Sequence, residues 1–165
     1  MFSENVKIVP LKQAGDLNSA ATIDCDSINM KGFHKAALIF TFDTLGGATA
    51  VLTINSGATE GTVSSALYFN YAWGGAAIGT AVAASTASCD VLAAWINAAS
   101  CSITHTSYSN YMLVCEIDAK AMDLANAEDW LTARFTDPGG ATGTFDAWAI
   151  LEPRYTGNRS STALK

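Results

Sequence analysis

Apolar and polar residues alternate along this chain with a period of two, in runs of strand length. "AALIFTF" (36–42), "ATAVLTI" (48–54), "ALYFNYAW" (66–73), "YMLVCEID" (111–118), "WLTARFT" (130–136) and "TFDAWAILEPRY" (144–155) all read as β-strands. Within 48–54, Ala50, Leu52 and Ile54 share one side and Val51 and Thr53 the other, so one face is apolar. Met112, Val114 and Glu116 alternate in the same way with Leu113, Cys115 and Ile117. Phe145, Ala147, Ala149 and Leu151 alternate with Trp148 and Ile150. "DTLGG" (43–47) supplies the glycines of a tight reversal, which predicts a hairpin between 36–42 and 48–54. "DPGG" (137–140) has Pro and Gly in β-turn order.

The remaining segments fill in the plan. Residues 1–19 read as an extended arm, with "NVKIVPL" strand-like and interrupted by Pro10. "AATIDCDSI" predicts a short strand, "NMKGFHK" a turn around Gly32, and Gly74–Ser88 an uncharged extended segment with a loop. In "SCDVLAAWINAAS" (88–100), Ser88 or Asp90 is placed to cap a helix whose Val91, Leu92, Trp95 and Ile96 share a face. "CSITHTS" (101–107) returns to strand, "SYSN" turns, and "AKAMDLANAED" (119–129) is a helical turn or loop. Residues 156–165 form a mildly basic, flexible tail. The sum is eight or nine short strands, one short helix, no βαβ rhythm and no internal repeat. A mainly β fold follows, an antiparallel β-sandwich or jelly-roll-like domain over residues 20–155.

Composition sharpens this picture. The chain is 165 residues long and 50% hydrophobic, but 29 of those residues are alanine, and only 15% are charged, against roughly 25% in ordinary domains. A surface of Ala, Thr, Ser and Gly costs little to desolvate and suits packing against other proteins. The net charge of −6 argues against nucleic acid and anionic lipid as partners. The N-terminus lacks a basic-then-apolar signal pattern, and no run approaches the ~18 apolar residues that span a bilayer. The expectation is a soluble chain made in the cytoplasm, with no membrane association.

Candidate chemistry is sparse. Cys25, Cys89, Cys101 and Cys115 form no CxxC pair, and His34 and His105 lie far apart, so neither a metal site nor a cofactor is expected. Cys101 and Cys115 read as buried thiols. His105, in "ITHTS", is the histidine to inspect as a base, yet no G-x-S-x-G elbow accompanies it. Asp24 with Asp26, and Glu116 with Asp118, share strand faces as acid–base pairs would. Asp43, Glu60 and Asp137 lack the ordering of a calcium loop. No enzyme is expected. Tyr68, Tyr71 and Trp73 make one strand aromatic, which suits a core, a subunit contact or a sugar-stacking platform.

The order "ALIFTFDTLGGATAVLTINSGAT", "ALYFNYAW", "YMLVCEIDAKAMD" and "WLTARFTDPGGATGTFDAWAILEPRY" resembles that of small virion proteins of tailed bacteriophages, across roughly residues 20–155. These are capsid decoration (cement) proteins and related accessory components. The resemblance implies a protein on the capsid surface, made in the host cytoplasm, with the major capsid protein as partner. It further implies many copies, a homotrimer favoured, and no catalytic residue. Tail, neck or head-fibre placement is the alternative within that class, and a carbohydrate-binding module the alternative outside it. The expected interface comprises Phe2, Val6 and Ile8 of the arm, the exposed part of Tyr68, Tyr71 and Trp73, and Arg154 with Tyr155.

Overall fold

The computed structural model describes residues 5–18, 22–79, 88–136, 140–155 and 162–164. Its strands build two antiparallel sheets that close on one core. The first sheet contains β1 (Lys7–Asp16), β4 (Phe33–Phe42), β8 (Phe69–Trp73), β9 (Ile96–Ala98), β11 (Met112–Asp118) and β14 (Thr144–Pro153), in the order β1-β14-β4-β11-β8-β9. The second contains β2 (Thr22–Asp24), β6 (Ala50–Gly57), β10 (Cys101–Ile103) and β12 (Trp130–Thr136), in the order β10-β6-β12-β2. Short β3 (Ile28–Asn29) pairs with β12, and β7 (Ser65–Ala66) with β6. The chain changes sheet at almost every step, which makes the sandwich jelly-roll-like.

The period-two pattern holds because each long strand buries one face. Ala36, Leu38, Phe40 and Phe42 of β4 point inward, as do Leu113, Cys115 and Ile117 of β11, and Phe145, Ala147, Ala149 and Leu151 of β14. Ala50, Leu52 and Ile54 of β6 and Leu131, Ala133 and Phe135 of β12 face them. Rings meet across the layers: Phe135 lies 4.3 Å from Phe145 and 5.5 Å from Phe40, centroid to centroid. The alanines alternate with bulk. Ala147 stands opposite Phe40 and Ala149 opposite Leu38, so small side chains make room for large neighbours.

The expected hairpin is absent. β4 and β6 belong to different sheets, so "DTLGG" is an arch that carries the chain across the core. β12 and β14 also belong to different sheets, so their link is a second arch, of which residues 137–139, where the DPGG turn was expected, lie outside the described residues. Each strand pair buries its apolar faces against one another through the sandwich, and a local sequence pattern does not tell this from side-by-side pairing. The arches meet through β5 (Gly46–Gly47) and β13 (Ala141–Thr142), where Ala141 pairs with Gly47 and Thr142 with Gly46. Gly47 has φ +71°, and a Cβ there would sit 1.8 Å from the Gly140 carbonyl oxygen, so glycine is required.

Three further expectations are corrected. The predicted helix over 88–100 is extended chain ending in β9, and a four-residue α-helix, α1 (His105–Tyr108), lies just beyond it. Val91, Trp95 and Ile96 stay exposed, so the helical face expected of them has no core to enter. The arm is not free between Lys7 and Asp16. It is β1, paired with β14 from Lys7↔Leu151 to Asp16↔Thr144, with Val9 and Leu11 in the core. In the tail, residues 162–164 return to the body: Ala163 is buried, its carbonyl accepts from Asn29 N–H at 2.9 Å, and Leu164 bridges to Ile28.

Candidate functional site

The residues expected to form one interface are dispersed. Phe2 lies outside the described residues. Val6 lines a shallow groove of about 360 Å³ on the outer face of the first sheet, with Lys35, Asn70, Glu116 and Glu152. Ile8 is exposed on β1, at the opposite margin of that sheet from β9. Arg154 is a structural pin: its N–H donates to the Gly32 carbonyl and its Nε to the Phe33 carbonyl, both at 2.9 Å. Tyr155 is exposed beside it.

The aromatic strand divides. Tyr68 is 68% exposed, Tyr71 is half-buried against the core, and Trp73 is buried, stacked on Tyr108 of α1 with centroids 3.7 Å apart. Trp73 therefore offers no open face to a sugar ring, and the three aromatics do not make a platform.

Of the candidate acid–base groups, Asp24 and Asp118 have structural partners. Asp24 receives Nε and NH2 of Arg134 at 2.6 and 2.7 Å, which clamps β2 to β12. Asp118 accepts from Lys120 N–H at 2.9 Å and caps a 3₁₀ turn. His105 opens α1 rather than lying in a strand, and its Nδ1 is buried without a hydrogen-bond partner. Glu128, which the sequence did not single out, is buried and accepts from Ser56 Oγ at 2.5 Å. All four cysteines are free thiols. Burial pushes Cys25 and Cys101 up to about 12 and Cys115 upward as well. Among the described residues, no three His, Cys, Asp or Glu side chains cluster as metal ligands would, and no helix is long and apolar enough to cross a membrane.

What the fold does assemble is a margin with a single charge. The chain has nine basic and 15 acidic side chains, and only Asp90 among them falls within residues 61–115. That stretch supplies β7 to β10, α1 and the extended segment before β9. The sandwich therefore has one nearly uncharged margin. Along it, Phe69 pairs with Ala98 and Tyr71 with Ile96, and Asn97 Nδ2 donates to Asn70 Oδ1 at 2.8 Å. The pairing continues past the strand ends: Ala93 N–H donates to the Trp73 carbonyl at 2.8 Å, and Gly75 N–H to that of Val91 at 2.7 Å. Gly74 allows this approach, since a Cβ there would lie 2.7 Å from the Cys89 carbonyl oxygen.

This margin carries exposed apolar bulk: Tyr68, Val91, Trp95 and Ile96 are each 41–68% open to solvent. Beneath them the Trp73–Tyr108 stack, extended edge-to-face to Tyr111, provides a stiff base. The Ser88 hydroxyl donates to the Asp90 carboxylate and holds it below the usual carboxylate range. Sequence reasoning missed Val91, Trp95 and Ile96 as surface residues because it folded them into a helix. The signal was the long interval from Glu60 to Glu116 with one charge in it.

No protein-family model matches the chain, and no curated protein matches it. Among solved structures, the coat protein of Tobacco streak virus is similar over 92% of this chain and 89% of its own, at 10% identity and a TM-score of 0.32. A likeness that loose carries no conclusion about role.

Proposed function

We propose that this chain is a structural protein of a bacteriophage particle, a decoration protein that sits on the outside of the head and stabilises it through protein contacts. One observation carries the reading: Tyr68, Val91, Trp95 and Ile96 are exposed on a margin from which charge is almost absent. Depletion of charge with enrichment of aromatic and aliphatic bulk is the composition of interface centres, not of free surface. The resemblance of the strand order to small tailed-phage virion proteins points the same way. Of the acid–base candidates, Asp24 clamps a strand pair and Asp118 caps a turn.

In this role the partner is the major capsid protein, and no cofactor takes part. Binding to an assembled shell and not to its free subunits stabilises the shell by mass action. The test is sedimentation of the purified protein with heads that lack it. Co-sedimentation, little changed by raising salt, supports the reading because the contact is apolar. Protein left in the supernatant at every concentration opposes it, and recovery with purified tails instead would move the protein to the tail or neck.

A further inference from the structure

We propose that the groove over Trp148 binds an uncharged saccharide, one sugar ring against the indole and its hydroxyls bonded by Gln13, Asp26, Asp146 and Lys12. Neither the groove nor its ligand depends on where the protein sits on a particle.

The groove lies where β1 leaves its ladder with β14. Its volume is about 600 Å³, within the range of small-molecule sites, and Pro10, Gln13, Asp26, Asp146, Trp148 and Leu164 are among its walls. Solvent faces of antiparallel sheets are ordinarily polar. Here Pro10, Trp148 and Ile39 stand side by side across three strands on the outer face of the first sheet, and Trp148 is 36% exposed. The pairing register shifts between Pro10 and Lys12 and again between Lys12 and Gly15. Within the second shift Ala14 has φ +47°, a left-handed conformation for a residue with a Cβ. Asp146 holds it there, its Oδ1 accepting from Ala14 N–H at 2.7 Å. Bulges re-aim side chains out of a ladder, and this one brings Lys12 and Gln13 to the groove.

The polar groups select the ligand. An anion would meet Asp26 and Asp146, and a cation would meet Lys12. An uncharged ligand escapes both conflicts. Asp146 has a second carboxylate oxygen to offer, and Asp26 and Gln13 are exposed at the rim. Carboxylates accept, an amide both donates and accepts, and an ammonium donates. Only a ligand rich in hydroxyls uses all of these at once. The indole beside a proline adds a flat apolar wall, which rewards a ligand with a C–H face. A pyranose ring has that face and the hydroxyls together. An extended peptide needs an open strand edge, which Pro10 and the broken register of β1 deny it. β1 and β14 also stand at the far end of the sheet order from β9. Covering the Val91–Ala98 margin therefore leaves the groove open.

The test is a glycan array probed with the full chain. It carries neutral mono-, di- and trisaccharides of glucose, galactose, mannose and N-acetylglucosamine, with sialylated and sulfated glycans beside them. Soluble forms of the sugars retained are then titrated by calorimetry. At least one neutral glycan is expected to bind, and Trp148→Ala to weaken it by about tenfold or more, with melting followed in parallel. Gln13→Ala, at an exposed position, is the second variant and should weaken binding severalfold with the fold unchanged. Tyr68→Ala, on the other margin, should leave it as it is. Retention of no neutral glycan at about 1 mM, preference for the acidic glycans, or binding unmoved by both Trp148→Ala and Gln13→Ala overturns the proposal.

Discussion

The indole of Trp73 and the ring of Tyr108 lie face to face, 3.7 Å apart and 4° from parallel. One comes from β8 and the other from α1, so the stack fixes the helix over the end of the sheet that carries the uncharged margin. Trp73 is also 5.7 Å from Phe42. Removing it opens a cavity and strips Tyr108 of its partner. Trp73→Ala is expected to cost about 3–5 kcal/mol, and Trp73→Phe distinctly less. Urea unfolding at neutral pH measures both. Equal losses for the two substitutions would mean that the stack adds nothing beyond filling space.

Gly47 ties the two arches together, and Gly61 has nearly the same φ with open space where a Cβ would sit: +71° for the first and +72° for the second. Gly61→Ala is expected to cost about 1 kcal/mol for the left-handed backbone alone. Gly47→Ala adds a clash with the Gly140 carbonyl and should lose well over 2 kcal/mol or fail to fold. The difference between their melting temperatures isolates the arch-to-arch contact.

The Asp24–Arg134 pair has good geometry, but its side chains are 36% and 30% exposed. Solvent screens it. Asp24→Asn is expected to cost at most about 1 kcal/mol, with the loss shrinking as salt rises. A loss above 3 kcal/mol would show that the clamp, not the core, holds β2 in place.

The buried thiols predict alkaline sensitivity. Cys25 and Cys101 rise from 9.0 to about 12, chiefly because burial disfavours the thiolate. The sign is set by the unfolded chain, which ionises near 9 while the folded one does not. Stability from each thiol is fully present below 9 and is lost as pH rises through about 12, by about 1.4 kcal/mol per pH unit. Cys25→Ala should flatten the stability-versus-pH slope by that amount above about pH 9.5. Unchanged slopes would contradict it.

Much of the fold was legible in the sequence, and the reason is burial. Strands such as Met112–Asp118 alternate because one face meets the core and the other does not. Partner choice was not legible. "DTLGG" serves an arch or a hairpin equally well at the level of turn residues, and only the packing of Phe40 and Phe42 against Phe135 decides. The segment 88–100 misled for a related reason: its spacing fits a helix, but Ala93 and Val91 pair with Trp73 and Gly75 instead, and its apolar residues face outward. The candidate site was legible only as an interval without charge, since Val91, Trp95 and Ile96 carry no motif.

The central claim is that the Val91–Ala98 margin is covered by protein when this chain works. Amide hydrogen exchange of that segment measures it directly, on free protein and on protein bound to heads. The account predicts slow exchange on heads, with the free chain exchanging fast and the Lys7–Asp16 strand little changed between the two. Exchange along Val91–Ala98 that is equally fast in both states would contradict it.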